Sequence, residues 1–303
     1  MNTILDTFLN DHPGRDFDRD GLKLHYLDEG SGEPVVMLHG NPTWSFLYRH
    51  LIDSLRGSYR VIVPDHIGCG LSDKPDDSRY LYTLSSRVDD LEQLLIHLGL
   101  DRDLTLILHD WGGMIGMAFA ARHPERIARL VVSNTAGFHK PASKRMPRAL
   151  SICRDSKLGA VMVRGMNAFC QGTAWIGCKR ARMTRELRQA YVAPYDSWSH
   201  RIAILRFVQD IPLHPGDRGY ELVSWVQERL ALLQSVPVLL LWGMKDFVFD
   251  YHFLDEWIRF FPHADVHRFP QAGHYLFEDE RAAINDLVPA FLGAHPIIEE
   301  HVG

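Results

Sequence analysis

The stretch "LTLILHDWGGMIGMAFA", residues 104–120, decides the fold. An apolar run with β-branched members stops at His109-Asp110-Trp111-Gly112-Gly113, and a small-residue pattern of helical spacing starts at once. Gly112, Gly116 and Ala120 fall four apart on one helical face, which lets the helix lie close against its strand. Strand, tight turn and helix make the geometry of a nucleophile elbow, whose usual corner residue is the serine of G-x-S-x-G. Here the corner is Asp110, and Leu108 stands where that motif often has glycine. The helix N-terminus behind the corner favours an ionised carboxylate. An aspartate there can also be a plain N-cap, but capping explains neither the adjoining Trp111 nor the partners found further along the chain.

Outward from the elbow, short apolar runs alternate with helical patterns, as expected of an α/β fold with a mostly parallel sheet and crossover helices. "PVVMLHG", "YRVIVPDH", "LTLILHD", "RLVVSNT", "PVLLLWG" and "DVHRF" read as strands, mostly buried because their apolar residues barely alternate. "LKLHYLDEG" alternates better and suits an early edge hairpin. From Phe138 to Leu213 only helical patterns occur, such as "KLGAVMVRGMNAFCQGTAWIGC". The expected organisation is a core in two parts, 1–137 and 214–303, with 138–213 as a helical cap. Ligands of open parallel sheets sit at the carboxyl ends of the strands, where a cap would shut out water.

Three further pieces can converge on Asp110. His274, in "AGHYLFED", follows a strand and comes late in chain order, as the base of a triad would. Asp246, in "LLLWGMKDFVFD", follows a buried strand and can hold an imidazole in one tautomer; Asp250 is its rival four residues on. The other common position for this acid, after "RLVVSN", holds Asn134, which cannot serve. In "MLHGNPTWSFLYRHLI", the backbone N–H of Asn41 and that of Trp111 can form an oxyanion hole. The Asn41 amide and the Trp111 indole N–H are two further donors, a cradle for a departing anion.

Composition narrows the class. The chain has 303 residues, 46% hydrophobic and 23% charged, with a net charge of −5. That balance is globular, and its sign argues against nucleic acid or an anionic membrane as partner. Four cysteines without C-x-x-C spacing read as free thiols. No signal peptide and no membrane-spanning run are evident, so a cytoplasmic protein is expected. Without a G-x-G-x-x-G or Walker loop, no nucleotide cofactor is expected. His263 and His267 are four apart, but Pro262 and the strand-like "DVHRF" argue against a metal site. "CKRARMTRELR" reads as a solvated basic helix face.

At these residues the chain closely resembles the haloalkane dehalogenases of the α/β-hydrolase superfamily. "HGNPTWSFLYR", "PDHIGCGLSDKP", "HDWGG", "WGMKDFVFD" and "AGHYLFED" occur in family order, and similarity runs from about Arg15 to about Leu292. "APYDSWSHRIAILRFVQDIPL" looks like the third subfamily, whose relatives include β-lactone decarboxylases of long-chain olefin biosynthesis. The resemblance implies an α/β-hydrolase fold with Asp110 as nucleophile, His274 as base, Asp246 as acid, and Asn41 and Trp111 as halide ligands. It also hints at a homo-oligomer.

The chemistry fits the corner residue. A carboxylate is ionised at neutral pH and can displace a leaving group from saturated carbon without proton transfer. The first expectation is therefore a haloalkane dehalogenase acting on a small hydrophobic substrate, through an alkyl ester of Asp110 that His274-activated water hydrolyses. The same residues could serve a β-lactone decarboxylase. An epoxide hydrolase would further need lid tyrosines, for which Tyr191, Tyr195 and Tyr220 are candidates. A non-catalytic receptor ranks last, because it would be expected to lose part of the triad's surroundings. Phe169, Trp175 and Phe207 are the expected apolar residues facing the substrate.

Overall fold

The computed structural model describes residues 2–297. Eight strands form one sheet: β1 (Arg15–Arg19), β2 (Leu22–Glu29), β3 (Pro34–Leu38), β4 (Arg60–Pro64), β5 (Leu104–Asp110), β6 (Ile127–Thr135), β7 (Val238–Gly243) and β8 (Asp265–Phe269). Their spatial order is β1-β2-β4-β3-β5-β6-β7-β8. The β1/β2 and β2/β4 pairs are antiparallel, and all pairs from β4 to β8 are parallel. This is the α/β-hydrolase fold.

The near-continuous apolar runs follow from burial on both faces. Side chains alternate between faces, so Val36, Leu38, Leu106, Leu108 and Leu240 enter one core. Their neighbours Val35, Met37, Ile107, Leu239 and Leu241 enter a second core on the opposite face. All seven residues of β5 are buried. The edges depart from the expected burial: β8, "DVHRF", has no fully buried residue, and neither does β1. An edge strand has a neighbour on one side only, so its outer flank stays in solvent.

The helix Trp111–Arg122 follows β5 without a linking residue. A Cβ on Gly112 would lie 1.9 Å from the Leu38 carbonyl oxygen, and one on Gly116 would lie 2.3 Å from Leu108 Cδ2. Only glycine allows this approach, and it holds the elbow against β3 and β5. Between β6 and β7 the described chain has helices and no strand. The helices Lys157–Arg164, Ala168–Ile176 and Ile202–Gln209, with Tyr195, share a small apolar core of Val163, Cys170, Tyr195, Ile204 and Leu205, against which Cys153 and Val192 of two further helices pack. All four cysteines are free thiols. No helix among the described residues is long and apolar enough to cross a membrane.

Candidate active site

The carboxyl ends of β3, β5, β6, β7 and β8 deliver the candidate residues to one place. Asp110 ends β5 with φ 51° and ψ −125°, a conformation L-residues adopt at a cost of about 1–3 kcal/mol when the surroundings enforce it. The enforcement is visible. The Thr135 hydroxyl donates to the Asp110 carbonyl oxygen, and the Asn41 N–H donates to Asp110 Oδ1 at 2.6 Å. The Trp111 N–H also supports the carboxylate. A Cβ on residue 40 would lie 2.1 Å from Asp110 Oδ1, so the glycine of "HGNP" is required for the carboxylate to sit there.

His274 and Asp246 complete the arrangement. Nδ1 of His274 lies 2.8 Å from Asp246 Oδ2, and Nε2 lies 3.7 Å from Asp110 Oδ2. Asp246 is fixed in turn, because its Oδ1 accepts from Val248 N at 2.8 Å. Asp250, the rival acid, is occupied elsewhere: it caps the helix Tyr251–Phe260 and pairs with Lys144 at 2.7 Å. Asn134 braces the loop that carries Asp246. Its Oδ1 accepts from Gly243 N at 2.8 Å, while Nδ2 donates to the carbonyls of Gly243 and Phe249.

The charges in this buried cluster are coupled. Burial penalises the Asp110 carboxylate and raises its pKa, despite the nearby His274 and two backbone donors. Burial also opposes the His274 cation, but the Asp246 charge and hydrogen bond, with help from Asp110, push its pKa up to about 9. Burial works against the Asp246 anion too, yet the His274 charge and hydrogen bond hold its pKa below the usual range. Both neighbouring carboxyl groups therefore favour the charged form of the His274 ring.

Of the anion donors, Trp111 lines the cavity with its indole N–H available to a ligand there. One N–H of the Asn41 amide is taken: Nδ2 donates to the Ile204 carbonyl at 3.1 Å, which ties the β3 loop to the helix Ile202–Gln209. A carboxamide nitrogen has two hydrogens, so one donor remains.

Two supports went unassigned at the level of sequence. His109, one residue before the elbow, is fully buried, with Nε2 bonded to the His274 carbonyl at 2.8 Å. Burial, then the His274 charge, drives its pKa down to about 3, so it is a neutral prop. Asp65, in "PDHIGCGLSDKP", accepts from Ser45 N, Leu71 N and His25 Nδ1. Burial opposes its charge, but His25 and these donors bring the pKa to about 2. The "PDH" segment therefore anchors the loop after β3. A buried carboxylate within a motif was the available signal.

A cavity of about 500 Å³ opens above Asp110, with Asn41, Trp111 and His274 in its wall. Its lining is otherwise mostly apolar and draws on the helices Arg148–Asp155, Lys157–Arg164 and Ala168–Ile176. Phe169 lines it as expected; Trp175 and Phe207 do not. Trp175 is half exposed beneath Arg188, and Phe207 packs between Trp111 and Arg87. None of the three candidate tyrosines lines the cavity. The hydroxyls of Tyr191 and Tyr195 are spent on Glu278 and the Thr43 carbonyl, which removes the support for epoxide opening.

A family model described as "alpha/beta hydrolase fold" matches residues 33–151 and 179–281. The chain is 59% identical to a cis-3-alkyl-4-alkyloxetan-2-one decarboxylase of Shewanella oneidensis, over 86% of this chain and 82% of that one. It is 48% identical to a protein of the same name from Xanthomonas campestris, over 92% and 95%. Identity to haloalkane dehalogenase 2 of Mycobacterium tuberculosis is 33%, over 87% and 89%. Among solved structures, the haloalkane dehalogenase DatA of Agrobacterium tumefaciens superposes with a TM-score of 0.83 at 26% identity, covering 93% of this chain and 97% of that one. The aspartate elbow, the strand order and these likenesses place the chain in the haloalkane dehalogenase family of the α/β-hydrolase superfamily, alongside the oxetanone decarboxylases.

Proposed function

We propose that this protein is a decarboxylase of cis-3,4-dialkyl β-lactones. The observation that carries the reading is the gradient of likeness, 59% and 48% identity to proteins so named against 33% for a dehalogenase. It reverses the order of the first two sequence-based expectations. The cavity supports it as well, since about 500 Å³ of mostly apolar space suits a substrate with two alkyl arms.

The residues carry a balanced reaction. The Asp110 carboxylate attacks ring carbon C4 from the side opposite the ring oxygen. The C4–O bond breaks, and its electron pair stays on that oxygen as part of a carboxylate on C3. Backside attack leaves the new Asp110–C4 bond anti to the C3–carboxylate bond. That bond then breaks to give carbon dioxide, its electrons form the C3=C4 double bond, and the C4–O bond returns its pair to Asp110. No proton or water is consumed, and a cis lactone yields a cis alkene. The Trp111 indole N–H and the free Asn41 N–H hold the carboxylate formed first. The His274 imidazolium, 3.7 Å from Asp110, lowers the cost of returning charge to that side chain. Residues 138–213 act as the cap over this chemistry, and 1–137 with 214–303 form the core beneath.

Halide release from haloalkanes is the second reading, favoured by Trp111 and Asn41 in the cavity wall and by the dehalogenase relatives. In that case His274 gives up its proton and activates water against the Asp110 ester. The test is to incubate the purified protein with a cis-β-lactone and with a bromoalkane, then measure alkene and bromide side by side. Faster alkene formation is expected. Bromide release with no alkene would reject the decarboxylase.

A further inference from the structure

The net charge of −5 conceals a division within the chain. Residues 138–213 hold 14 lysines and arginines against four acidic residues, so this segment carries +10 and the remainder −15. Arg145, Arg148, Lys157, Lys179, Arg182 and Arg185 are exposed there and take part in no ion pair among the described residues. The same segment exposes large apolar side chains. Ile152, Leu158 and Ile176 line the cavity and yet are 48%, 65% and 48% exposed, which marks them as the rim of its mouth. Val161, three residues from Leu158 on the same helix face, is half exposed. Met166 and Trp175 are exposed as well, the latter beneath the Arg188 guanidinium.

We propose that this face docks on an anionic lipid surface with the cavity mouth against it. Unpaired cationic side chains and exposed apolar ones on one segment are the composition that binds such a surface: the charges are drawn to anionic headgroups and the apolar groups enter the headgroup boundary. A protein partner would also accept an apolar rim, but six unpaired cations match a continuous anionic plane. The consequence concerns delivery. An apolar substrate dissolved in lipid enters the mouth without crossing water, and an apolar product leaves the same way. The basic run "CKRARMTRELR", read from sequence as a solvated face, becomes part of the docking surface. The inference stands on charge and the mouth, and not on which reaction occurs inside.

The test uses the full chain and vesicles of phosphatidylcholine with or without phosphatidylglycerol, read by co-sedimentation. Binding is expected on the mixed vesicles at low salt, with little on pure phosphatidylcholine and a steep loss at high salt. The triple variant Arg145→Glu, Arg148→Glu, Lys157→Glu should partition roughly a hundredfold more weakly, with turnover of a short, water-soluble substrate unchanged. Val161→Ser with Met166→Ser should weaken binding at low salt while leaving every charge in place. Absence of binding by the unmodified chain, or binding indifferent to the charge reversal, would overturn the proposal. So would elution as a dimer that Val161→Ser converts to monomer without any vesicle binding, because the face would then join two copies.

Discussion

His274 Nε2 stands 3.7 Å from Asp110 Oδ2, beyond hydrogen-bond length but well within the range of strong charge interaction. The two proposed reactions would use the ring differently. As an imidazolium it stabilises an anionic Asp110, and as a neutral base it reaches a water placed against an Asp110 ester.

These uses predict pH profiles of opposite sign. With the His274 pKa raised to about 9, the cation is the resting form at neutral pH. Decarboxylation, which uses the cation, should decline as pH rises through about 9. Hydrolysis of an alkyl ester needs the neutral ring, so steady bromide release should increase over the same window. The raised pKa also stabilises the fold below the ordinary histidine value, and this contribution is lost as pH passes about 9. Profiles of kcat for both substrates on one preparation check the signs, with a thermal melt at each pH to exclude unfolding.

Oxygen isotope labelling separates the two reactions at Asp110 itself. In decarboxylation the C4–O bond breaks and the carboxylate keeps its own oxygens. In dehalogenation water attacks the ester carbonyl, so solvent oxygen enters the side chain. After many turnovers in ¹⁸O water, the peptide containing Asp110 should stay unlabelled with a cis-β-lactone and gain label with a bromoalkane. Label gained with the lactone would mean that the ester is hydrolysed.

His274→Phe divides the reactions further. Asp110 needs no base to attack, so the variant should release about one bromide per site from a bromoalkane and stop, its mass raised by the alkyl group on Asp110. With a cis-β-lactone it should continue to form alkene, more slowly, because no water need be activated. Asp110→Ala should be inactive on both. Steady bromide release by the phenylalanine variant would show water attacking the substrate directly, with Asp110 as a general base.

Asn134 makes a structural prediction. Its Nδ2 donates to the carbonyls of Gly243 and Phe249, so Asn134→Asp would set a carboxylate oxygen against two carbonyl oxygens. Lost donors and buried repulsion should cost about 1–3 kcal/mol. A melting temperature several degrees lower, with activity reduced because the Asp246 loop loosens, is the expected result. An unchanged melt would show that the loop is held by other contacts.

The elbow, the donors at Asn41 and Trp111 and the position of His274 were legible because each sits in a short motif at the end of a strand. Sequence favours Asp246 but leaves Asp250 as a rival, since both follow β7 within one loop and only coordinates reveal that Lys144 claims the second. Trp175 departs from the expected cavity lining for a different reason. Phe169, Gly172, Thr173 and Ile176 line the cavity at the i, i+3, i+4, i+7 spacing of one helix face. Trp175 lies one residue, about 100°, off that face. Helical phase, and not aromatic content, decides which side chains face the cavity. Whole-chain charge is blind to position in a similar way, because a sum cannot show where its parts lie.

That helical phase yields a last prediction. Gly172 belongs to the cavity-lining face of the helix Ala168–Ile176, and a Cβ built on it meets nothing within 4 Å. Gly172→Leu therefore has room for its side chain, and the room is substrate space. Replacing glycine within a helix by a good helix former stabilises it by about 0.5–1 kcal/mol, so the melting temperature should hold or rise slightly. Activity should change by chain length: substrates with short alkyl arms keep their kcat/KM, and long-armed ones lose it mainly through KM, because the intruding side chain blocks the arm and not the reacting carbon. A series of β-lactones differing only in arm length reads this directly. A uniform loss across the series would mean that the arms do not pass this helix, and that the cavity above Asp110 is filled from another side.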